Sequence, residues 1–205
     1  MYPTEVIYQS NYRGYPINGS EREGCYKKIL ERILDQFEYM LYRHNKLLFI
    51  RFDVRFPQLG SFSPDNSLFT RFMATFSQSL RRDGVDHRYI WVREQSLSAP
   101  NQHYHCCLLL NGNIRQSIHD PIQKAKRQWG ELLGMGENHG LINDCTRDRY
   151  GNPQKNGLMI KRGTKSYDRM VGRCFEWASY LAKTATKDDP PAGVRTFGCS
   201  KSWHR

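Results

Sequence analysis

Two neighbouring stretches decide the fold: RYIWVREQ at Arg88–Gln95 and HYHCCLLL at His103–Leu110. Each is a short run of aromatic, β-branched and aliphatic residues, and the segment between them is polar, so they predict two strands of a hairpin. In HYHCCLLL, alternation sends His103 and His105 to one face and Tyr104, Cys106, Leu108 and Leu110 to the other. In RYIWVREQ, Ile90 and Val92 occupy core-like positions. Strict alternation then groups Glu94 with them and leaves Gln95 on the open face, and a bulge would exchange the two.

Working outward, Leu48, Ile50, Phe52, Val54 and Phe56 alternate with Phe49, Arg51, Asp53 and Arg55. This is a half-buried strand, and its second face carries two arginines and an aspartate. Pro64-Asp65-Asn66 opens a helix through Phe69, Phe72, Met73, Phe76 and Leu80, closed by Asp83-Gly84. Upstream, Ser20 and Glu23 have the spacing of a capping box for a helix to about Arg43, with Ile29, Ile33, Phe37, Met40 and Leu41 at helical spacing. Downstream, Asp120-Pro121 starts a helix to about Leu133. Short strands are expected at Gly140–Asn143 and Gly157–Lys161, and a last helix runs from about Ser166 to Thr186, before Pro190-Pro191. The order predicts an α+β fold of the RRM or ferredoxin-like kind, an antiparallel sheet of about five strands with helices on one face and the other face free for a ligand. We divide the chain into an N-terminal arm and helix (1–45), a main domain (46–190) and a basic tail (191–205), forming one compact unit.

Composition points to the ligand. The chain has 205 residues with 31 Lys and Arg against 20 Asp and Glu, a formal charge of +11 and a pI near 9.5. Such a surplus fits a polyanion, and an aromatic content of 13% fits a folded protein. The longest apolar runs, Leu47–Ile50 and Cys106–Leu110, are too short to span a bilayer. Met1–Ser10 lacks the pattern of a secretory signal, and the six cysteines contain no CxxC pair. We therefore expect reduced thiols, a cytoplasmic location, and nucleic acid rather than a membrane as partner.

Three features carry chemistry. His103 and His105, side by side on one strand face, can bind one metal through neutral nitrogens. Glu94 ends the preceding strand, where a hairpin brings it beside the histidines as a third ligand for Mg²⁺ or Mn²⁺, with Gln95 as the substitute. In Tyr180-Leu181-Ala182-Lys183, the helix buries Val171, Cys174, Phe175, Ala178, Leu181, Ala182 and Ala185. At about 100° per residue, Tyr180 lies opposite that stripe, with Lys183 and Lys187 on its own side. Cations beside a phenol favour its charged form and can hold a phosphate, which suits a nucleophile for a phosphodiester.

In this order, a polar-faced strand at Leu48–Phe56, Glu94 with His103–His105, and Tyr180–Lys183 resemble the three motifs of the HUH endonuclease superfamily. The phrases WVREQ, HYHCCLLL and ASYLAK are similar to single-tyrosine rolling-circle initiators of filamentous phages (inoviruses) and prophages. The resemblance covers roughly residues 46–187. It implies His103, His105 and Glu94 as metal ligands, Tyr180 as the nucleophile and Lys183 as a phosphate stabiliser. It further implies nicking of single-stranded or hairpin origin DNA through a 5′-phosphotyrosyl link, leaving a 3′-hydroxyl for a host polymerase. Arg51 and Arg55 on the open strand face are expected to hold the strand's phosphates, and the arm with the Arg147–Arg149 loop to help recognise an origin hairpin. No phosphate-loop ATPase motif occurs, so a host helicase is expected to unwind the duplex. A transposase or relaxase would use the same chemistry. A non-catalytic nucleic-acid-binding module would account for the charge but not for the histidine pair and Tyr180. A structural zinc site from His103, His105, Cys106 and Cys107 ranks low, because adjacent residues on a strand point to alternate faces.

Overall fold

The computed structural model describes residues 3–95, 101–136, 140–148, 150–185 and 190–201. An N-terminal arm carries short strands β1 (Val6–Ile7), β2 (Asn11–Tyr12), β3 (Tyr15–Pro16) and β4 (Cys25–Tyr26). Then follow α1 (Lys27–Arg43), β5 (Lys46–Arg55), α2 (Ser67–Arg82), β6 (His87–Glu94) and β7 (His103–Asn111). The C-terminal half adds α3 (His119–Leu132), β8 (Ile142–Asn143), β9 (Leu158–Lys161), α4 (Tyr167–Ser179), a 3₁₀ turn at Tyr180–Ala182 and β10 (Phe197–Cys199).

The fold is α+β, with four helices and a six-stranded antiparallel sheet. Its order is β10-β6-β7-β5, and β8 and β9 both pair with the far edge of β5. The sixth strand is β10, which lies in the stretch read as a tail and pairs with β6 through Phe197↔Val92. Between the two short partners of β5 the Asn156 amide replaces a strand: the Arg51 backbone N–H donates to Asn156 Oδ1 (3.0 Å) and Asn156 Nδ2 donates to the Arg51 carbonyl (2.6 Å). No helix among the described residues is long and apolar enough to cross a membrane.

The expectation of helices on one face is corrected: both faces are covered. Leu48, Ile50, Phe52, Val54, Tyr104, Cys106, Leu108 and Leu110 pack with residues of α2 and α3. The opposite face packs Leu47, Phe49, Ile90, Val92, Cys107 and Leu109 against α1 and α4. Phe49 sits 5.8 Å from the Phe37 ring and 5.9 Å from the Trp177 ring, so its strand face is apolar at one end. Beyond Phe49 the same face continues as Arg51, still against Trp177 of α4, and then as Asp53 and Arg55, where it opens into a cleft.

Two helix limits also differ from expectation. Ser20 and Glu23 close a local turn, through Glu23 N–H to Ser20 Oγ (3.0 Å) and Ser20 N–H to the Glu23 carbonyl (2.8 Å). The chain then pairs Cys25–Tyr26 with Val6–Ile7, and helix begins only at Lys27. At the other end α4 stops at Ser179 instead of reaching Thr186. Lys183 is extended and bridges to Cys25, and the Thr184 N–H donates to the Gly24 carbonyl (2.9 Å). Backbone groups that would have prolonged the helix are taken by the arm.

Candidate metal centre and tyrosine

The site forms where the uncovered ends of β5, β6 and β7 meet the end of α4. Pairing is continuous, with Glu94↔His103, Val92↔His105 and Asp53↔His105 directly opposite. Glu94 therefore shares a face with the histidines without any bulge. Ile90 and Val92 are core residues of that same face, because its far half is covered by α1 and α4. Gln95 is not brought to the site: its Oε1 accepts from Arg93 Nη2 at 2.7 Å.

Ligand atoms of Glu94, His103 and His105 lie within 4.8 Å of one another. Glu94 Oε2 is 3.1 Å from His105 Nε2 and 3.6 Å from His103 Nε2. On its other side, His105 Nδ1 is 2.6 Å from Asp53 Oδ1. Asn143 Nδ2 donates to Asp53 Oδ2 at 3.3 Å. Burial of His105 opposes its charge, yet hydrogen bonds to Asp53 and Glu94 outweigh burial and push its pKa up to about 9. Burial likewise works against the Asp53 carboxylate, and the bond to His105 overrides it and lowers the Asp53 pKa.

Two imidazoles and a carboxylate converging on one point, one imidazole backed by a second carboxylate, form a donor set that fits a divalent cation. Among the described residues this is the one such group of three. Cys106 and Cys107 take no part. They point to opposite faces, and burial pushes the Cys107 thiol up to about 12. Tyr104, between the histidines, belongs to the far core. It stacks on Phe69 at 3.7 Å, its hydroxyl donates to Asn66 (2.9 Å), and burial drives its pKa to about 12.

Tyr180 stands over this group. Its ring centroid is 5.8 Å from that of His105, and its side is exposed to the cleft (37% of the residue). The Arg51 guanidinium lies 4.6 Å above the Tyr180 ring and 5.7 Å from the Trp177 ring. Arg51 is buried (7% exposed), and its Nε has no hydrogen-bond partner. Lys183 Nζ lies 5.8 Å from the Tyr180 ring centroid and pairs with Glu23 of the arm. A cleft of about 870 Å³ joins these groups, with Arg55 and Arg147 on its walls. Arg147 Nη1 also donates to the Gly151 carbonyl (2.8 Å). Arg149 and Lys187, both expected to contact DNA, lie outside the described residues.

Asp53, Asn143, Trp177 and the arm residues Asn18 and Glu23 also line the cleft, and none of them stands in the sequence motifs as a site residue. A signal for Asp53 was present, since it shares a strand face with Arg51 and Arg55. Asn18 and Glu23 reach the cleft only through long-range packing. Asn18 N–H donates to Ser179 Oγ (2.8 Å), and its Nδ2 donates to the Glu176 carbonyl.

Fold and site together define an α+β protein with a candidate His/Glu metal centre facing a tyrosine in a cation-lined cleft. The family model of the YagK/YfjJ C-terminal domain matches residues 9–200, and the chain belongs to that family. No curated protein is similar to it in sequence. Two solved structures are similar. The catalytic domain of the adeno-associated virus type 5 Rep protein is 8% identical with a TM-score of 0.36, over 62% of this chain and 97% of that one. The N-terminal nuclease domain of the minute virus of mice non-structural protein 1 is 11% identical with a TM-score of 0.31, over 74% of this chain and 99% of that one. The latter is described as coordinating Zn²⁺ in its active-site pocket and recognising DNA at the origin of replication. At TM-scores this low neither likeness bears on the reaction.

Proposed function

We propose that the protein is a metal-dependent, single-tyrosine DNA-nicking enzyme of the HUH type that initiates rolling-circle replication of a phage or prophage. The observation that carries this reading is the convergence of Glu94, His103 and His105 within 4.8 Å, with the Tyr180 ring 5.8 Å from His105. These three residues would hold Mn²⁺ or Mg²⁺, and two nitrogen donors beside one carboxylate favour the softer Mn²⁺. Such an ion, once bound, supplies Lewis-acid polarisation of a phosphate.

The chain's own residues do the rest. Arg51, Arg55 and Lys183 bind the phosphates of a single strand in the cleft and leave the scissile phosphorus facing Tyr180. The Tyr180 oxygen attacks phosphorus as its proton passes to solvent, and the bond from phosphorus to the 3′ oxygen breaks. The 3′ oxygen takes up a proton and leaves as a hydroxyl, while the 5′ phosphate stays esterified to Tyr180. The free 3′ end is then extended by a host polymerase, with a host helicase unwinding. The arm and the loop at Arg147 and Asp148 flank the cleft, and the arm with Arg147 and Arg149 is assigned to recognition of an origin hairpin.

The test is to incubate wild type and Tyr180→Phe with Mn²⁺ and labelled single-stranded DNA from the element that encodes the protein. A protein–DNA band on a denaturing gel that requires Tyr180 and vanishes with EDTA supports the proposal. Binding of the same DNA without any adduct would turn the reading to a non-catalytic DNA-binding module.

A further inference from the structure

Past Trp177 the cleft opens into a second chamber of about 250 Å³ that shares Asn18, Gln154 and Trp177 with it as a common wall. Resting on the nicking reading above, we infer that this chamber is a subsite for one unpaired DNA base carrying an exocyclic amino group, the neighbour of the nucleotide that is cut. Trp177 is half-buried and lies three residues before Tyr180. That separation is just under one helical turn, about 4.5 Å along the axis, comparable to the step from a phosphate to an adjacent base. Indole faces bind unpaired bases by stacking, the usual device of single-strand binders.

The chamber's polar groups argue for a base rather than a phosphate. The exposed carboxylate of Glu176 lines it and would repel a phosphate. Asn18 Nδ2 is committed to the Glu176 carbonyl and Ser179 Oγ (3.2 Å), and Gln154 Nε2 to the Cys145 carbonyl (2.9 Å). Their amide oxygens are left as acceptors beside the Glu176 carboxylate. Three acceptors of this kind receive an amino group, which cytosine, adenine and guanine carry in unpaired DNA and thymine lacks. Lys155 and Arg173 also line the chamber and suit the flanking phosphates.

The experiment reads tryptophan fluorescence and anisotropy in EDTA, so that no nicking is needed. Trp91 and Trp129 are buried (7% and 0% exposed), and Trp203 is replaced by Phe throughout. Short cytidine-only DNA is expected to quench the fluorescence, and Trp177→Phe removes the quench. Trp177→Ala is expected to weaken binding roughly tenfold. Cytidine-only DNA is expected to bind more tightly than thymidine-only DNA, and Glu176→Gln, on an exposed side chain that leaves the core intact, reduces that preference. DNA binding with unchanged fluorescence would overturn the subsite and leave the nicking reading standing. Equal affinity for the two oligonucleotides would overturn the amino-base assignment, and an equal quench by RNA would overturn the choice of DNA. Absence of any DNA binding would overturn both the subsite and the nicking reading.

Discussion

Asp53 Oδ1 stands 2.6 Å from Nδ1 of His105, on the strand position directly opposite it. A neutral imidazole donating through Nδ1 to a carboxylate keeps its Nε2 lone pair for a metal and becomes a more basic ligand. Asp53→Asn preserves the shape and removes the charge. We expect Mn²⁺ affinity to fall by about 10- to 100-fold by calorimetry, with the fold retained by circular dichroism. Unchanged affinity would make Asp53 a structural residue only.

The same contact sets a pH dependence. Without metal, His105 titrates near 9, above its ordinary 6.5. The stability its proton adds is therefore fully present below 6.5 and lost as pH rises through 9. Metal binding requires the neutral ring, so Mn²⁺ must displace that proton below pH 9. Apparent Mn²⁺ affinity is expected to climb about tenfold per pH unit towards 9, with about one proton released on binding. Calorimetry in buffers of different ionisation enthalpy reads that proton directly, and a pH-independent affinity would refute the coupling.

Glu94 and Gln95 are distinguished by register. Glu94 faces His103 and His105, while Gln95 bonds Arg93 on the other side of the strand. Mn²⁺ is expected to raise the melting temperature of the wild type, and Glu94→Gln should abolish that rise, since ligand binding to the folded state alone stabilises by about 2.7 kcal/mol at a hundredfold excess over Kd. Gln95→Ala should leave that rise intact. The reverse result would place the third donor at Gln95.

That register shows what the sequence could and could not reveal. The hairpin, the face shared by His103 and His105, and the polar face of Arg51, Asp53 and Arg55 were legible, because strand alternation is a local property. Which part of a face is covered is not local. The positions Leu47, Phe49, Arg51, Asp53 and Arg55 form one row that changes from core to cleft halfway along β5. Taking the polar half as the whole face made the sheet look one-sided and made Ile90 and Val92 look misplaced beside Glu94. Similarly, the end of α4 is set by Gly24 and Cys25, about 160 residues upstream, through bonds that helical periodicity cannot register.

Arg51 offers a test that separates charge from shape. Its guanidinium lies over Tyr180 at 4.6 Å with Nε unpaired and buried. Arg51→Lys keeps the charge but loses the planar stacking and the forked donors. We expect adduct formation to slow about tenfold or more, on the scale of a charge-assisted hydrogen bond, while Mn²⁺ affinity stays unchanged. An equal loss of metal binding would mean that the substitution had disturbed the sheet rather than the phosphate contact.

Lys183 reaches the cleft already paired with Glu23, whose carboxyl is held below its ordinary range by that lysine. The pair is partly exposed, at 24% for Lys183 and 46% for Glu23, so it is weak and screened by salt. On the proposed nicking function, a phosphate arriving at Tyr180 would compete with Glu23 for the same ammonium. Glu23→Gln should therefore strengthen single-stranded DNA binding by up to about fivefold at low salt, and the gain should shrink as salt rises. Lys183→Ala should weaken binding and slow adduct formation, and combining it with Glu23→Gln should erase the gain. If Glu23→Gln strengthened binding equally in the Lys183→Ala background, the carboxylate would be acting on the strand directly, and Lys183 would lose its assignment as the phosphate-holding residue.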